Sequence, residues 1–520
     1  MPEIELKFLI SKDDARRLKA RVKSSGLARG RSTTRTIRST YFDTPEQQLQ
    51  EAGLSLRVRR EGRRWLQAVK SGRSNGAGLT TVDEIEVPVP GDRPHVDAIP
   101  EPKIRSIVEQ QVNGSPLEPY CESLIRRTTT DVELADGTRA EIAIDAGDIR
   151  VGDQSAEIGE AEIELKAGST KGLFDIAHIL FPEGGIRFSG MSKLARAQLL
   201  AEQGRVTPPL VPRPAKPVPI DATMTVERAA RDIFRECFDQ IATNMNVIAA
   251  SDDPEGPHQL RIGLRRLRSA FNMFGQVMQS PEMERLGREA RWIGGEVGFL
   301  RDLDVLVHDI VLREADAHPE EPSLPLLKTA LARHSEETRS GLRACLVGRP
   351  AQTFVIDLAA FVETRGWLVP EDFGQSERLA APITSVAADI LSHRWAKLKR
   401  HARGIDGLDL ARRHEFRKEV KKLRYAVEFL APLFDARRID PFRKRSRKLQ
   451  NALGSLNDVA MTREILGGGG LLGGDEAALA RAIGWVMGAN QARADLGWGQ
   501  AKTDWRRFRR AGPFWTRAAR

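Results

Sequence analysis

Charged residues recur at every second position in two short segments near either end of the first 170 residues. In Glu3–Phe8 and in Glu160–Lys166 they alternate with apolar or small residues. Because residues two apart share one face of a β-strand, each segment would place its charges on one side. Clustered carboxylates suit Mg²⁺ or Mn²⁺, and Arg or Lys side chains bind phosphate oxygens. These segments therefore indicate binding of a metal ion together with a polyanion.

The same spacing recurs in intervening segments. These add the pair Arg57 and Arg59, the pair Glu84 and Glu86, and single charges on strand-like stretches at Lys70, Arg126 and Asp145. Several acidic and basic strands in one domain favour a closed or nearly closed sheet with a charged interior. A surface network of salt bridges is the alternative interpretation of the same pattern.

The elements that carry these charges change character along the chain. Before Thr207 the sequence reads as short alternating strands, with helices predicted at Lys12–Ser24 and Leu173–Leu180. Thr207–Pro219 contains six prolines in thirteen residues and predicts an extended spacer. Periodicity of 3.6 residues follows from Ala222 onward. We predict an α+β multidomain protein with an antiparallel β domain (1–205), a linker (206–220) and an all-α domain (221–520).

The α region contains an internal repeat with an offset of 156 residues. HQLRIGLRRLR from His258 corresponds to HEFRKEVKKLR from His414, and GFLRD from Gly298 corresponds to GSLND from Gly454. The repeat predicts two related halves, at about 221–375 and 376–520. Helical spacing aligns one basic stripe per copy. The stripes are His258, Arg261, Arg265 and Arg268, and His414, Arg417, Lys421 and Arg424.

Composition restricts the class of protein. The 520 residues carry a net charge of +10, and about +15 of it lies in residues 381–520, while residues 1–205 are about neutral. The three cysteines are far apart and form no disulfide framework or CxxC metal site. No apolar run is long enough for a membrane span, and the N-terminus lacks a signal-peptide layout. We expect a soluble cytoplasmic protein without a membrane partner.

The N-terminal motifs resemble the CYTH superfamily of triphosphate tunnel metalloenzymes. EIELK at Glu3, TYFDTP at Thr40, LRVRR at Leu56, LQAVKSG at Leu66, EIAIDAG at Glu141, EIELKAG at Glu162 and SKLARA at Ser192 carry the likeness. The resemblance implies an eight-stranded antiparallel tunnel that hydrolyses triphosphates with Mg²⁺ or Mn²⁺. It implies a substrate cradle of Lys7, Arg57, Arg59, Lys70, Arg126 and Lys193, with Arg127 as the competitor of Arg126. It also implies metal ligands at Glu3, Glu5, Glu84 or Glu86, Asp145, Glu162 and Glu164, with Glu3, Glu5 and Lys7 as catalytic residues.

The helical repeat resembles the CHAD domain, the conserved-histidine α-helical domain that commonly follows CYTH. HQLRIGLRRLR, LRDLDVL, HEFRKEVKKLRY and LGSLND carry this likeness. The resemblance implies a bundle of two pseudo-symmetric halves that binds inorganic polyphosphate, and thus an association with polyphosphate granules. The implied binding residues are His258, Arg261, Arg265, Arg268, His414, Arg417, Lys421, Lys422 and Arg424. Asp302 and Asp458 are expected to brace neighbouring basic side chains rather than bind metal.

These features lead us to expect an inorganic triphosphatase coupled to a polyphosphate-binding domain. The alternatives are a tunnel acting on thiamine triphosphate or nucleoside triphosphates, an adenylyl cyclase, and a non-catalytic polyphosphate scaffold. Nucleic acid is expected to bind only through generic attraction of a polyanion, because the basic helices lack the interleaved aromatic residues of single-strand readers.

Overall fold

Eight antiparallel strands close into a barrel in the computed structural model, which describes residues 3–76, 78–467 and 476–515. The order around the barrel is β1-β5-β4-β3-β2-β6-β7-β8. The strands are β1 Glu3–Leu9, β2 Thr33–Asp43, β3 Leu54–Glu61, β4 Arg64–Gly76, β5 Leu79–Val89, β6 Glu118–Glu133, β7 Arg139–Val151 and β8 Gln154–Ala167. The predicted fold, an antiparallel tunnel followed by an all-α region, is confirmed.

Helices occur between the strands of the barrel and after its last strand. In chain order they are α1 Lys12–Ser24, α2 Gln48–Glu51, α3 Pro102–Val112, α4 Thr170–Leu180, α5 Lys193–Gln203, α6 Val226–Ala250, α7 Glu255–Met278, α8 Pro281–Val305, α9 Leu312–Ala317, α10 Ser323–Val347, α11 Arg349–Glu363, α12 Phe373–Ala380, α13 Ile383–His401, α14 Leu410–Leu430, α15 Ala436–Ala452, α16 Gly454–Leu466 and α17 Glu476–Ala511. A π-helical segment, Leu306–Val311, joins α8 to α9. Among the described residues, no single helix is long and apolar enough to span a membrane; only the consecutive pair α10 and α11 meets that test when taken together.

The contacts divide the chain into two units. One comprises Met1–Leu210 with Gly348–Arg365, and the other comprises Val211–Val347 with Gly366–Arg520. The sequence boundaries place α11 in the helical region, but its contacts group it with the barrel. There the ring of His178 on α4 lies 2.7 Å from a carboxylate oxygen of Asp357 on α11. The apolar sequence of α11 explains this placement, because most of its side chains are buried.

Strand alternation separates an apolar outer surface of the barrel from a charged lumen. On β1, Leu6 and Phe8 are fully buried, and the Phe8 ring packs against Phe181 at 4.9 Å between centroids. On the opposite side of the barrel, Phe42 and Leu56 pack with residues of α2 and α3. Outer helices therefore cover the apolar faces of these strands, and the intervening charged residues face inward.

Helix α5 fills one end of the lumen. Ile125, Ile149 and Ile158 have the same strand parity as the charged lumen residues and form a buried cluster with Leu194 and Leu200 of α5. The helix begins at a favourable cap, because the Ser192 side chain accepts a hydrogen bond from the Ala195 amide. This packing places Lys193, the first residue of α5, at the end of the tunnel that the helix closes.

The repeat occupies corresponding helices of the second unit. The two His-led stripes lie on α7 and α14, which pack against one another. Each helix also has a buried apolar face, with Leu260, Leu264 and Leu267 on α7 and Phe416 and Leu423 on α14. Burial of these faces fixes the rotation of both helices, so the basic stripes are held away from the hydrophobic core.

Candidate active site

One ionic cluster in the lumen joins β1, β3, β4 and β5. Arg57 donates to Glu84 at 2.8 Å, and Lys70 lies 2.6 Å from Glu84 and 3.2 Å from Glu3. Burial would raise the pKa of Glu84, but the adjacent Arg57 and Lys70 outweigh it and lower that pKa to about 2. Farther along the same strands, Arg59 lies 2.8 Å from Glu86. The structure thus brings together predicted residues of four strands, with carboxylates of β1 and β5 facing basic side chains of β3 and β4.

A second cluster surrounds Lys193, the first residue of α5. Its ammonium lies 2.7 Å from Glu160, 2.9 Å from Asp145 and 3.7 Å from Glu162. Lys7 approaches the same group, 3.1 Å from Glu162 and 3.3 Å from Glu5. Burial would lower the pKa of Lys193, but these carboxylates raise it well above its ordinary value. Lys193 is therefore a permanently charged group at the closed end of the tunnel.

Arg127, rather than Arg126, belongs to the lumen, and this corrects the choice made from the sequence. Arg127 donates two hydrogen bonds to Asp145, at 2.8 and 2.7 Å, and one to Glu162 at 2.7 Å. Arg126 is exposed and lies opposite Ala146 in the strand register, whereas Arg127 lies opposite Asp145. Because adjacent strand residues point to opposite faces, only one of the two arginines can enter the tunnel.

Glu160 and Arg196 form a buried pair to which the sequence argument assigned no role. Glu160 is fully buried and lies 2.7 Å from the guanidinium of Arg196, which is 1% exposed. Arg196 also donates to the Val206 carbonyl at 3.1 Å, so it ties α5 to the chain that follows. Two features of the sequence could have indicated this pair. Glu160 adds a third acid at the start of the run that ends at Glu164, and Arg196 follows Lys193 by three residues.

The remaining predicted carboxylate, Glu164, lies nearer the other end of β8. It is paired with Lys166 at 2.6 Å and lies opposite both Glu5 and Glu141 in the strand register. Burial and the charge of Glu164 raise the pKa of Glu141, although Lys166 opposes the shift. This end of the cluster thus carries a concentration of negative charge.

The lumen carboxylates differ in how well they suit a metal ion. Asp145, Glu160 and Glu162 have oxygens within 4.8 Å of one another, but Lys193 already lies close to all three. Glu3 and Glu5 also have ammonium neighbours, Lys70 at 3.2 Å and Lys7 at 3.3 Å, but burial and neighbouring carboxylates still raise the pKa of Glu3 to about 7 and also raise that of Glu5. Excess negative charge and an all-oxygen donor set fit a hard divalent cation. The predicted ligands Glu3 and Glu5 therefore fit better than the buried triad.

The second unit contains a basic cleft of about 700 Å³ between the two stripes. Residues of both repeats line it. They include Arg261, Arg265, Arg268, Arg291, Asp302, His414, Arg417, Lys418, Lys421, Lys422 and Tyr425. Asp302 binds Arg261 at 2.5 and 3.2 Å, so it braces a basic side chain. One continuous cationic surface follows from this arrangement.

Mutual repulsion is strong in the cleft. Burial and the charges of Arg417, Arg265 and other arginines lower the pKa of Lys421 to about 6. Burial together with Arg261 lowers the pKa of Arg265 to about 10. Positive charges held this close are stabilised by an anion that enters among them.

Two predicted binding residues, His258 and Arg424, do not line the cleft, and a third, Lys422, has an acidic partner. His258 does not line the cleft, although burial and the charges of Arg301 and Arg261 lower its pKa. Lys422 lines the cleft but also donates to Glu419 at 2.7 Å. Arg424 instead lines a smaller cavity between α14 and α15.

Lys421→Met is expected to stabilise the protein and to flatten the dependence of its stability on pH. The pKa of Lys421 is about 6 in the folded chain, against about 10.4 in unfolded chains. Between these values the unfolded state binds more protons, so this lysine makes the free energy of unfolding rise with pH. Urea denaturation between pH 6 and pH 10 would measure the slope. An unchanged slope in the variant would contradict the electrostatic assignment, and Lys444→Met, at an exposed position on α15, is the control.

The fold and the two sites define a protein with a charged antiparallel tunnel and a separate helical unit that presents a basic cleft. Family comparison gives the finer assignment: residues 1–197 match the CYTH domain and residues 232–467 match the CHAD domain. The chain therefore carries a CYTH domain followed by a CHAD domain.

Individual relatives cover different parts of the chain. An inorganic triphosphatase of Haemophilus influenzae is 30% identical over 170 residues, which are 32% of this chain and 47%, about half, of that protein. An uncharacterised protein of Mycobacterium tuberculosis is 27% identical over 461 residues, covering 84% of this chain and 82% of that protein. The crystal structure of the CHAD domain from the plant Ricinus communis aligns with a TM-score of 0.49 and 24% identity, over 56% of this chain and 96% of that one.

Proposed function

We propose that the tunnel hydrolyses inorganic triphosphate to pyrophosphate and phosphate with Mg²⁺, and that the helical unit binds inorganic polyphosphate. One observation carries the first part: basic groups from separate elements converge in one lumen. They are Lys7, Arg57, Arg59, Lys70, Arg127 and Lys193. The relative named an inorganic triphosphatase supports the choice of reaction.

The geometry supports stabilisation of charge as the source of catalysis. Phosphoryl transfer depends mainly on positioning and on neutralising the charge of the transferred group and the leaving oxygen. Lys7 is buried, the side chain of Lys193 is only 11% exposed, and carboxylates hold both, so they need little reorganisation when that charge develops. Arg57 and Arg59 extend the basic surface to β3 and would position the rest of the phosphate chain.

Charge balance supports dependence on a metal. Among the lumen residues named above, carboxylates outnumber Lys and Arg side chains, so a multiply charged anion would meet net repulsion. Glu3 and Glu5, with Glu164 beside them, would hold a divalent cation that neutralises phosphate oxygens and favours attack by water. We propose Mg²⁺, with Mn²⁺ as the substitute, because oxygen-only donor sets suit both.

The basic cleft supports polyphosphate as the ligand of the second unit. Most of its cations come from α7 and α14 in one register, Arg291 comes from α8, and together they line a volume of about 700 Å³. A phosphate chain matches such a row of charges, and a tethered binding domain would raise the local concentration of phosphate chains. The cytoplasmic location remains a prediction of the sequence.

A phosphate-release screen tests the reaction. We expect release from inorganic triphosphate with Mg²⁺, less from ATP and thiamine triphosphate, and none after chelation of divalent metal. Glu162→Gln should lower the rate by at least tenfold, because Lys7 and Arg127 lose a charged partner. Glu157→Gln is the matched control, since Glu157 is exposed on the same strand and pairs with Lys12. Equal rates in the two variants, or full activity in chelator, would contradict the proposal.

A further inference from the structure

A smaller cavity in the helical unit has a different composition from the basic cleft. It encloses about 240 Å³ between α14 and α15, below the usual size of pockets for drug-sized ligands. Three arginines line it, Arg424, Arg443 and Arg447, together with Phe442 and Ser446. The cavity therefore suits a compact anion better than an extended chain.

Three residues that line the cavity contain buried polar atoms that lack a partner among the described residues. Ser446 is 4% exposed, and its Oγ has no hydrogen-bond partner among the described residues. The same holds for Nε2 of Gln450 and Nε of Arg424. A buried donor without an acceptor is costly, and such groups in native structures commonly mark a bound ligand or water. Each of these groups can donate a hydrogen bond to an anion.

The acidic residue of the cavity does not cancel its charge. Glu428 lies 3.1 Å from the guanidinium of Arg266, which is buried and does not line the cavity. That ion pair leaves the three lining arginines as an excess of positive charge. An anion is therefore the ligand that the charge balance favours.

The internal repeat relates this cavity to one end of the cleft. At the offset of 156 residues, Arg424 and Arg447 correspond to Arg268 and Arg291, which both line the cleft. On α14 the next residue after Arg424 is Tyr425, which lines the cleft and carries the Arg424 guanidinium 4.7 Å from its ring centroid. Residues of α14 thus line both cavities, but only the cleft is lined by residues of both repeats.

We infer that this smaller cavity is a separate site for a single terminal phosphate group, either the end of a polyphosphate chain or free orthophosphate. A terminal phosphate offers three acceptor oxygens and up to two negative charges, whereas an internal one offers two oxygens and a single charge. The arginine, hydroxyl and amide donors of its lining residues match the terminal group. The chain-end form of this inference rests on the polyphosphate binding proposed above.

Two polyphosphates of equal length, one with free ends and one with both ends esterified, test the inference on the full chain. In the unsubstituted protein we expect the free-ended chain to bind about tenfold more tightly, because one charge-assisted hydrogen bond changes the affinity by about that factor. Arg447→Gln and Ser446→Ala should reduce this ratio toward one. The matched control Arg291→Gln should weaken both chains and leave the ratio unchanged, because Arg291 lines only the cleft.

Orthophosphate distinguishes the two sources of the ligand. If added orthophosphate removes the end preference at matched ionic strength, the cavity accepts free phosphate; if the preference persists, it accepts chain ends, and both results support the site. A ratio of one in the parent protein, or a ratio that Arg447→Gln leaves unchanged, overturns the inference. If neither chain binds, polyphosphate binding itself has failed. Direct titration with orthophosphate then decides, and equal affinities of the parent protein and Arg447→Gln overturn the site.

Discussion

Arg127→Ala is expected to reduce kcat/KM for inorganic triphosphate by about 10²–10³-fold, the usual loss when one preorganised donor is removed from a reacting anion. Arg127 holds Asp145 and Glu162 through three hydrogen bonds, so its loss also disturbs the carboxylates around Lys193. Arg126→Ala should leave the rate unchanged, because that side chain is exposed on the outer face. Steady-state phosphate release on the two variants measures the difference.

Folding must be separated from catalysis in this comparison. Removing one partner of a buried ion pair costs about 3–5 kcal/mol, so the thermal midpoint of Arg127→Ala should fall. Arg127→Lys retains the charge but loses the bidentate geometry, and it should fold while hydrolysing triphosphate more slowly. If Arg126→Ala were the slow variant, the strand register that places Arg127 in the lumen would be wrong.

Arg265→Gln is expected to raise the stability of the protein while lowering its affinity for polyphosphate. Burial and the repulsion of Arg261 lower the pKa of Arg265 to about 10, so its positive charge is unfavourable without a ligand. Relief of about 1 kcal/mol would raise Tm by about 2–4 °C. Loss of one charge-assisted contact should weaken binding about tenfold.

Damage to the fold would lower stability and affinity together, so it would not produce a gain of stability with a loss of affinity. Arg437→Gln is the control, because Arg437 lies on α15 with a side chain that is 92% exposed and lines neither cavity. It should change Tm and affinity little. A variant of Arg265 that lost stability and affinity together would indicate a structural role for that arginine.

Short-range patterns predicted a large part of the fold. The alternation in Glu3–Phe8 assigned a charged and an apolar face to β1, and the structure has both. Helix α1 was predicted with its observed bounds, and in the structure Ser11 and Asp14 form a reciprocal cap at its start. Such features depend on residues within a few positions of one another, which a sequence displays directly.

The sequence by itself determined which charges could share a face and which helices carry a repeated basic stripe, because side-chain periodicity is a local property of strands and helices. Tertiary structure decided which charges meet. The register between β6 and β7 selects Arg127 over Arg126, and the packing of α5 brings Lys193 to Asp145 and Glu160. Barrel closure and helix docking join residues far apart in the chain through non-local pairing, which local periodicity does not encode.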